Sequence, residues 1–401
     1  MIAKVVFVET FKRMVRNKKN RLVWIIAFLG VLIYSGLILP NTESMDTVDM
    51  ERLEIDLLGN QGLMEAQFEA GSTEANNYTG LSTYGEAKNN FEQQRAFKIA
   101  VDTGNVRQYI QLNYLPEDLS KEIMNDYLKN SEEPMKDLHY DQSNKQLRLN
   151  SYLEEIPDIT FHLVQEKTAW QQIHLFFLNW GPLILLILTV FLVSDVTTGE
   201  REARTQKAGI PYNWRKYLWV QSMAAFCFVC LFFAVVFVWF FLVNGILFGF
   251  GSLDLKVPLY TYSSDYTTND AVFGLMEIGT FLIKVLPFLI LFIYVMVRLS
   301  VLFSLLFKND VVVLTLGVFA VVFEKLYYSR RMRDILGIDL SFFPQTYIDF
   351  GKVVSGEKNF LLNTPTITMD RGLLVMIGTI LVIESLLVLA TKFIYRQRFV
   401  R

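Results

Sequence analysis

Six runs of apolar residues punctuate the chain, at 22–39, 173–194, 218–248, 278–307, 311–328 and 373–393. Each is close to the twenty or so residues a helix needs to cross a bilayer. The fourth contains Pro287, which removes a donor from the helix ladder and predicts a kink. The fifth is the shortest. The long basic flank ahead of the first run argues for an uncleaved span rather than a leader. In residues 1–21 the apolar side chains Phe7, Val8, Phe11, Met14 and Val15 share one helical face, and Lys12, Arg13, Arg16 and Lys19 share the other. That pattern predicts an amphipathic helix lying in the membrane interface, its bases near lipid head groups, so membrane lipid is an expected partner. Between the first two runs lies a polar insert, 40–172. Helical spacing recurs over 86–114 and again over 117–130, where Pro116 and early acids mark a helix start. Residues 145–153 alternate and predict a short strand. Residues 71–85, rich in Gly, Ser, Thr and Asn, read as a loop, and Asn77 opens a formal glycosylation triplet. The sum is an all-α membrane protein: six transmembrane helices, an N-terminal interfacial helix, and a mainly helical domain between helices one and two.

Composition supports that division. The 401 residues are 52% apolar and 19% charged, too apolar for an ordinary soluble protein and too charged for a bare bundle. Charge sign then orients the spans. The N-terminus carries Lys4, Lys12, Arg13, Arg16, Lys18, Lys19 and Arg21 against Glu9 alone. The C-terminal end, with its tail at 394–401, carries Lys392, Arg396, Arg398 and Arg401. The segment 195–217 adds Arg201, Arg204, Lys207, Arg215 and Lys216. Short basic flanks stay on the cytoplasmic side, so both chain ends and 195–217 are expected there in a multi-pass plasma-membrane protein. The insert and residues 329–372 then lie outside. Arg330, Arg331 and Arg333 run against this scheme. Residues 41–170 hold 24 acids and 11 bases, as befits a water-facing domain.

Ionisable side chains inside the apolar runs are the natural functional candidates, because each costs on the order of 3 kcal/mol at the bilayer centre. Glu277 and Lys284 are seven apart, on one helical face, and are expected to pair. Glu384 sits mid-way along the last span with no partner in its own helix, which predicts a polar contact inside the bundle or at a subunit interface. Arg298 and Glu324 lie nearer span ends and are expected to reach toward the interface. Cys227 and Cys230 fall inside an apolar run without further ligands nearby and read as helix packing. His139, His162 and His174 are too far apart in sequence to suggest a metal site, and none is expected. There is no G-x-x-x-x-G-K-[S/T] phosphate loop, no G-x-S-x-G nucleophile motif and no feature of nucleic-acid binding.

The segment 194–217 reads SDVTTGEREARTQKAGIPYNWRKY. A charged run holding Asp195, Thr198, Glu200, Arg201, Glu202 and Arg204 is followed by a break at Gly209 and Pro211 and then by an aromatic, basic helix start. On residues alone this reads equally as a solvated charged loop or as a short charged helix that a soluble motor could push against. It resembles, however, the loop after the second span of ABC-2 type permeases. The stretch 341–356, SFFPQTYIDFGKVVSG, is similar to one that precedes the last span in Gram-positive members, and the order of elements agrees along most of the chain. The large insert departs from compact members. The resemblance implies a coupling helix in 195–217 that docks on a separate ABC ATPase, present in two copies, with ATP and Mg bound there and no cofactor in this chain. It further implies a second permease chain, identical or related, and outward movement of a hydrophobic or amphipathic cargo (a peptide antibiotic, drug or lipid-like molecule) between spans one, two and five. Sodium export is a family alternative for which the sequence offers no clear cation site. The rival reading is a membrane-anchored sensor or antibiotic-immunity protein whose external domain binds a ligand, although six spans exceed what an anchor needs. A membrane-embedded enzyme is disfavoured, since no polar cluster at helical spacing offers acid–base chemistry.

Overall fold

The computed structural model describes residues 2–42, 50–74, 80, 82–112, 133–200, 213–262, 273–327, 329–330, 332–394 and 399. The chain is mostly helical and divides into two compact units, Met1–Pro40 with Thr168–Arg401, and Asn41–Lys167. The first unit opens with α1 (Ile2–Arg16). Its buried stripe is Val6, Thr10 and Met14, four apart, as one helical face requires. Asn17 ends it and caps α2 (Lys18–Ile33) by accepting from the Lys19 N–H at 2.9 Å. The helix then widens into a π turn, Tyr34–Ile38.

The inserted unit holds α3 (Met50–Glu69), α4 (Thr83–Asp102), α5 (Val106–Leu112), α6 (Glu133–Glu155) and the single turn α7 (Phe161–Val164). Its boundaries lie close to the expected 40–172. Ser82 caps α4 by accepting from the Gly85 N–H. The helical stretch 86–114 breaks at Gly104, which adopts φ +69°. Residues 117–130, Asn77 and part of 71–85 lie outside the described residues. The strand expected over 145–153 is instead part of α6. Tyr140, Asn144, Arg148 and Tyr152, spaced by four, are its buried face, so a helical period underlies the local alternation. Arg148 pairs with Glu166 under this face.

Back in the first unit, the expected second span is two helices, α8 (Ala169–Leu178) and α9 (Gly181–Val193). The break is built in. A Cβ on Gly181 would lie 2.1 Å from the Phe176 carbonyl oxygen, and Pro182 starts the new helix where its missing N–H costs nothing. A 3-10 turn, Thr198–Glu200, follows. Helix α10 (Trp214–Phe248) has 35 residues, about 52 Å at 1.5 Å per residue. Strands β1 (Lys256–Tyr260) and β2 (Phe273–Glu277) pair antiparallel and lead into α11 (Ile278–Phe307), which continues through Pro287. Helix α12 (Asp310–Tyr327) follows. The short strands β3 (Asp334–Ile335) and β4 (Ile338–Asp339), two 3-10 turns, α13 (Phe350–Val354) and α14 (Glu357–Leu362) occupy most of the stretch before the last helix, α15 (Met369–Phe393).

Among the described residues five helical segments are long and apolar enough to cross a membrane: Lys18–Ile38, Gly181–Glu200, Trp214–Phe248, Ile278–Phe307 and Met369–Phe393. The chain is therefore a multi-pass membrane protein. The run at 311–328 also forms a helix, but its 18 residues include Asp310, Glu324 and Lys325, which sets it apart from the five. Helix α11 is the hub, packing against α9, α10, α12, α13 and α15. Phe288 stacks on Tyr347 and Phe350, and Phe292 on Phe350. Inside a bilayer such contacts stabilise through close packing rather than removal from water. Small residues permit it: a Cβ on Gly317 of α12 would meet Val190 of α9 at 2.4 Å. The outward sides of α2 and α15 are apolar, with Leu22, Ile25, Ile26, Leu381 and Val382 among the exposed side chains, as helices facing hydrocarbon require.

Candidate functional site

A dense polar junction lies where α9 ends. Asp195 accepts from Lys19 Nζ at 2.7 Å and from Asn17 Nδ2 at 2.5 Å. Lys19 Nζ also donates to the Phe191 carbonyl at 2.7 Å and to Ser194 Oγ at 3.2 Å. One turn on, Glu200 accepts from Arg13 Nη1 at 3.0 Å and from Gln221 Nε2 at 3.1 Å. Arg13 and Gln221 both donate to the Val196 carbonyl as well, and Thr198 Oγ1 donates to Ser194 O at 3.4 Å. These bonds answer a physical need. The last carbonyls of a helix have no partner within it, and cations there also meet the negative end of its dipole. Three elements thus meet: the turn joining α1 and α2, the end of α9, and the first turns of α10. Of the residues singled out in the charged segment, Asp195, Thr198 and Glu200 belong to this junction. Arg201, Glu202, Arg204, Gly209 and Pro211 lie outside the described residues.

Helix α1, expected to lie in the membrane interface, needs a correction of its faces. Phe7 and Phe11 stack together, and Phe11 meets Phe228 of α10 edge-on at 5.8 Å. Val6 packs with Tyr217 and Val220. Val8 and Val15, expected on that same side, are exposed beside Lys12 and Arg16. Arg13 and Lys19, expected outward, turn in to the junction. The apolar stripe of α1 is used mainly against α10, and the carbonyls and carboxylates at the end of α9 draw the two cations inward.

A second cluster spans α10, α11 and α15. Glu384 receives Arg298 Nε at 2.5 Å and Nη2 at 2.7 Å, a two-pronged pair, and Tyr294 Oη at 2.9 Å. Arg298 Nη1 donates to Ser222 Oγ at 2.8 Å. Glu384 has the contact inside the bundle that its isolation predicted. Arg298 does not reach the interface; it is buried, because the carboxylate gives its planar fork a matching acceptor. Glu277 and Lys284 do not pair. Glu277 is the last residue of β2 rather than part of the helix, and its register partner Lys256 takes it at 3.1 Å. Lys284 is half-buried on α11.

A third cluster joins α12 to the segment before α15. Lys358 Nζ lies 2.6 Å from Glu324 Oε1 and 3.1 Å from Asp349 Oδ2, and Lys325 Nζ lies 2.8 Å from that same oxygen. Glu324, expected near the interface, is buried by these partners. Burial disfavours the charged Asp349 carboxylate, but Lys358 and Lys325 outweigh it and hold its pKa below the usual 3.8. Nearby, burial pushes the Tyr347 phenol up to about 12, and its hydroxyl donates to the Ser341 carbonyl at 2.8 Å. Among the described residues no group of His, Cys, Asp or Glu side chains forms a metal site. His174 packs edge-on against Phe281, and Cys227 and Cys230 lie free on α10.

No family model, curated protein or solved structure matches the chain. Its chemistry therefore rests on these clusters. Sequence reasoning missed Asn17, Gln221, Tyr294, Asp349 and Lys358 as partners. Only Lys358 left a signal, as a cation close to a run of apolar residues.

Proposed function

We propose that the chain is the membrane-spanning permease subunit of an ATP-driven ABC exporter, working with a separate ATPase. The observation that carries this reading is the junction at Asp195 and Glu200. It ties the interfacial helix and two spans to the root of the segment that resembles a coupling helix. A push delivered to that segment then reaches α1, α2 and α10 together. A motor shifts a transporter only by binding its states differently, and a rigid root lets a docked ATPase express that difference in the bundle.

In this reading six spans cross the membrane, α12 included, with both ends and 195–217 cytoplasmic. The charges of α12 are compatible with crossing, because Glu324 and Lys325 lie in its last turn and are matched by Lys358 and Asp349. The unit Asn41–Lys167 then faces outward. Two copies, or one with a related chain, would assemble with two ATPase subunits and move a hydrophobic or amphipathic cargo. The test is ATPase coupling in the reconstituted complex. Substituting Glu200→Ala together with Arg201→Ala is expected to abolish substrate-stimulated hydrolysis while the subunits stay assembled. Unchanged stimulation in a stable complex removes the proposal. The rival, a ligand-binding membrane anchor, predicts that no ATPase copurifies.

A further inference from the structure

The inserted unit carries a surface that the exporter reading leaves unused. Helix α3 turns Leu53, Leu57, Asn60 and Met64 toward α4, where Asn60 Nδ2 donates to Gln94 Oε1 at 2.6 Å and Lys98 pairs with Glu54 at 2.6 Å. Its other side is unusual. Residues 51, 54, 55, 58, 62, 65, 68 and 69 recur at helical spacing and form one outward stripe. Ile55, Leu58 and Phe68 on that stripe are 62%, 69% and 64% exposed. Glu51, Glu65 and Glu69 stand between them, while Glu54 on the same stripe is taken by Lys98 of α4. Scattered exposed apolar side chains are ordinary, but a run of them is a mark of an interaction surface. At the C-terminal end of the stripe Phe68 and Tyr84 lie 5.5 Å apart. With Met64, Glu65 and Glu69 they line a shallow cleft.

We propose that the outward face of the α3–α4 hairpin binds cationic amphipathic peptides. A helical peptide with lysines interleaved among leucines presents the complement of this stripe, residue type for residue type. A 20-residue helix is about 30 Å long, so a peptide of similar length meets the whole stripe. In the cleft the stem of a lysine or arginine lies against Met64 and the two rings, and its head reaches the Glu65 and Glu69 carboxylates. The inference rests on the exporter reading for its outward exposure, and it narrows the amphipathic cargo to one charge class.

The test uses the full-length protein in nanodiscs of zwitterionic lipid, with empty nanodiscs as blank. The probes are a fluorescent 18-residue lysine/leucine amphipathic peptide and its glutamate/leucine counterpart. The lysine peptide is expected to bind saturably and to weaken as salt screens the carboxylates, while the glutamate peptide does not bind. E65Q with E69Q is expected to weaken binding about three- to tenfold, and F68S roughly tenfold or more. All three positions are exposed, so the hairpin remains folded. Equal binding of both peptides, or unchanged affinity in both variants, overturns the proposal. The exporter reading is separable: an ATPase that copurifies without peptide binding sinks this inference alone, and peptide binding without an ATPase sinks the other.

Discussion

Substituting Glu384→Gln isolates the energetics of the intramembrane cluster. The change is isosteric, so cavity formation plays no part. It removes the charge that faces Arg298, whose side chain is only 5% exposed, while Glu384 itself is 28% exposed. Glutamine keeps one acceptor oxygen, so one of the two guanidinium bonds survives as a neutral-acceptor bond. Breaking a fully buried pair by removing one partner costs about 3–5 kcal/mol. Glu384 sits mid-way along its helix, so its exposed part faces hydrocarbon and gains no screening from water; the surviving bond moderates the loss, and about 3 kcal/mol is expected. Arg298→Met is expected to cost less, because a carboxylate left unpaired can neutralise itself by binding a proton, whereas the guanidinium left by E384Q stays charged. The double variant R298M/E384L, apolar on both sides, is expected to lie close to the wild type. The assay is thermal unfolding in nanodiscs, followed by tryptophan fluorescence. The predicted order of midpoints is wild type, double variant, R298M, then E384Q several degrees down. With E384L added to close the cycle, strictly additive effects of R298M and E384L in the double variant would show that the groups do not interact. E384Q melting with the wild type would refute the argument outright.

Two glycines test close packing without charge. A Cβ on Gly356, at φ +77°, would lie 1.8 Å from the Tyr260 carbonyl oxygen, whereas Gly30 has nothing within 4 Å. G356A is therefore expected to cost about 2 kcal/mol or more, and G30A to be neutral or slightly stabilising; equal melting points contradict this. Asp349 has a lowered pKa in the fold, so its stabilising contribution is complete above the usual 3.8 and is lost as pH falls through the lowered value. D349N should flatten the acid limb of a midpoint-against-pH curve, and an unchanged limb would exclude Asp349 as its source. At the junction, R13E and E200R are each expected to uncouple ATP hydrolysis from cargo, and the double swap to restore coupling in part. Failure of the swap with intact assembly would show that the pair does not transmit force.

The positions of the helices were legible because their apolar runs exceed any other explanation of such composition. Pairings across the bundle were not. The spacing of Glu277 and Lys284 is meaningful only within one helix, and Glu277 belongs to a strand whose ladder offers Lys256 instead. Lys19 looked like one of several topogenic bases, since nothing local shows that carbonyls 172 residues away lack partners. Residues 145–153 misled for a related reason: the alternating window was shorter than the stretch over which Tyr140, Asn144, Arg148 and Tyr152 reveal a period of four. Gly181 and Pro182 lie inside an apolar run, and hydropathy alone does not register the break they make. Asp195 and Glu200 stood out as charges directly after an apolar run, although a solvated loop accounted for them as well.

Sidedness tests the central claim most directly. With Cys227 and Cys230 replaced by serine, single cysteines at Thr205 and Ser131 are exposed, in intact cells, to a thiol reagent that cannot cross membranes. The account predicts modification at position 131 and none at 205 until the membrane is opened. Modification at 205 with protection at 131 would put the charged segment beyond the reach of any cytoplasmic ATPase and contradict it.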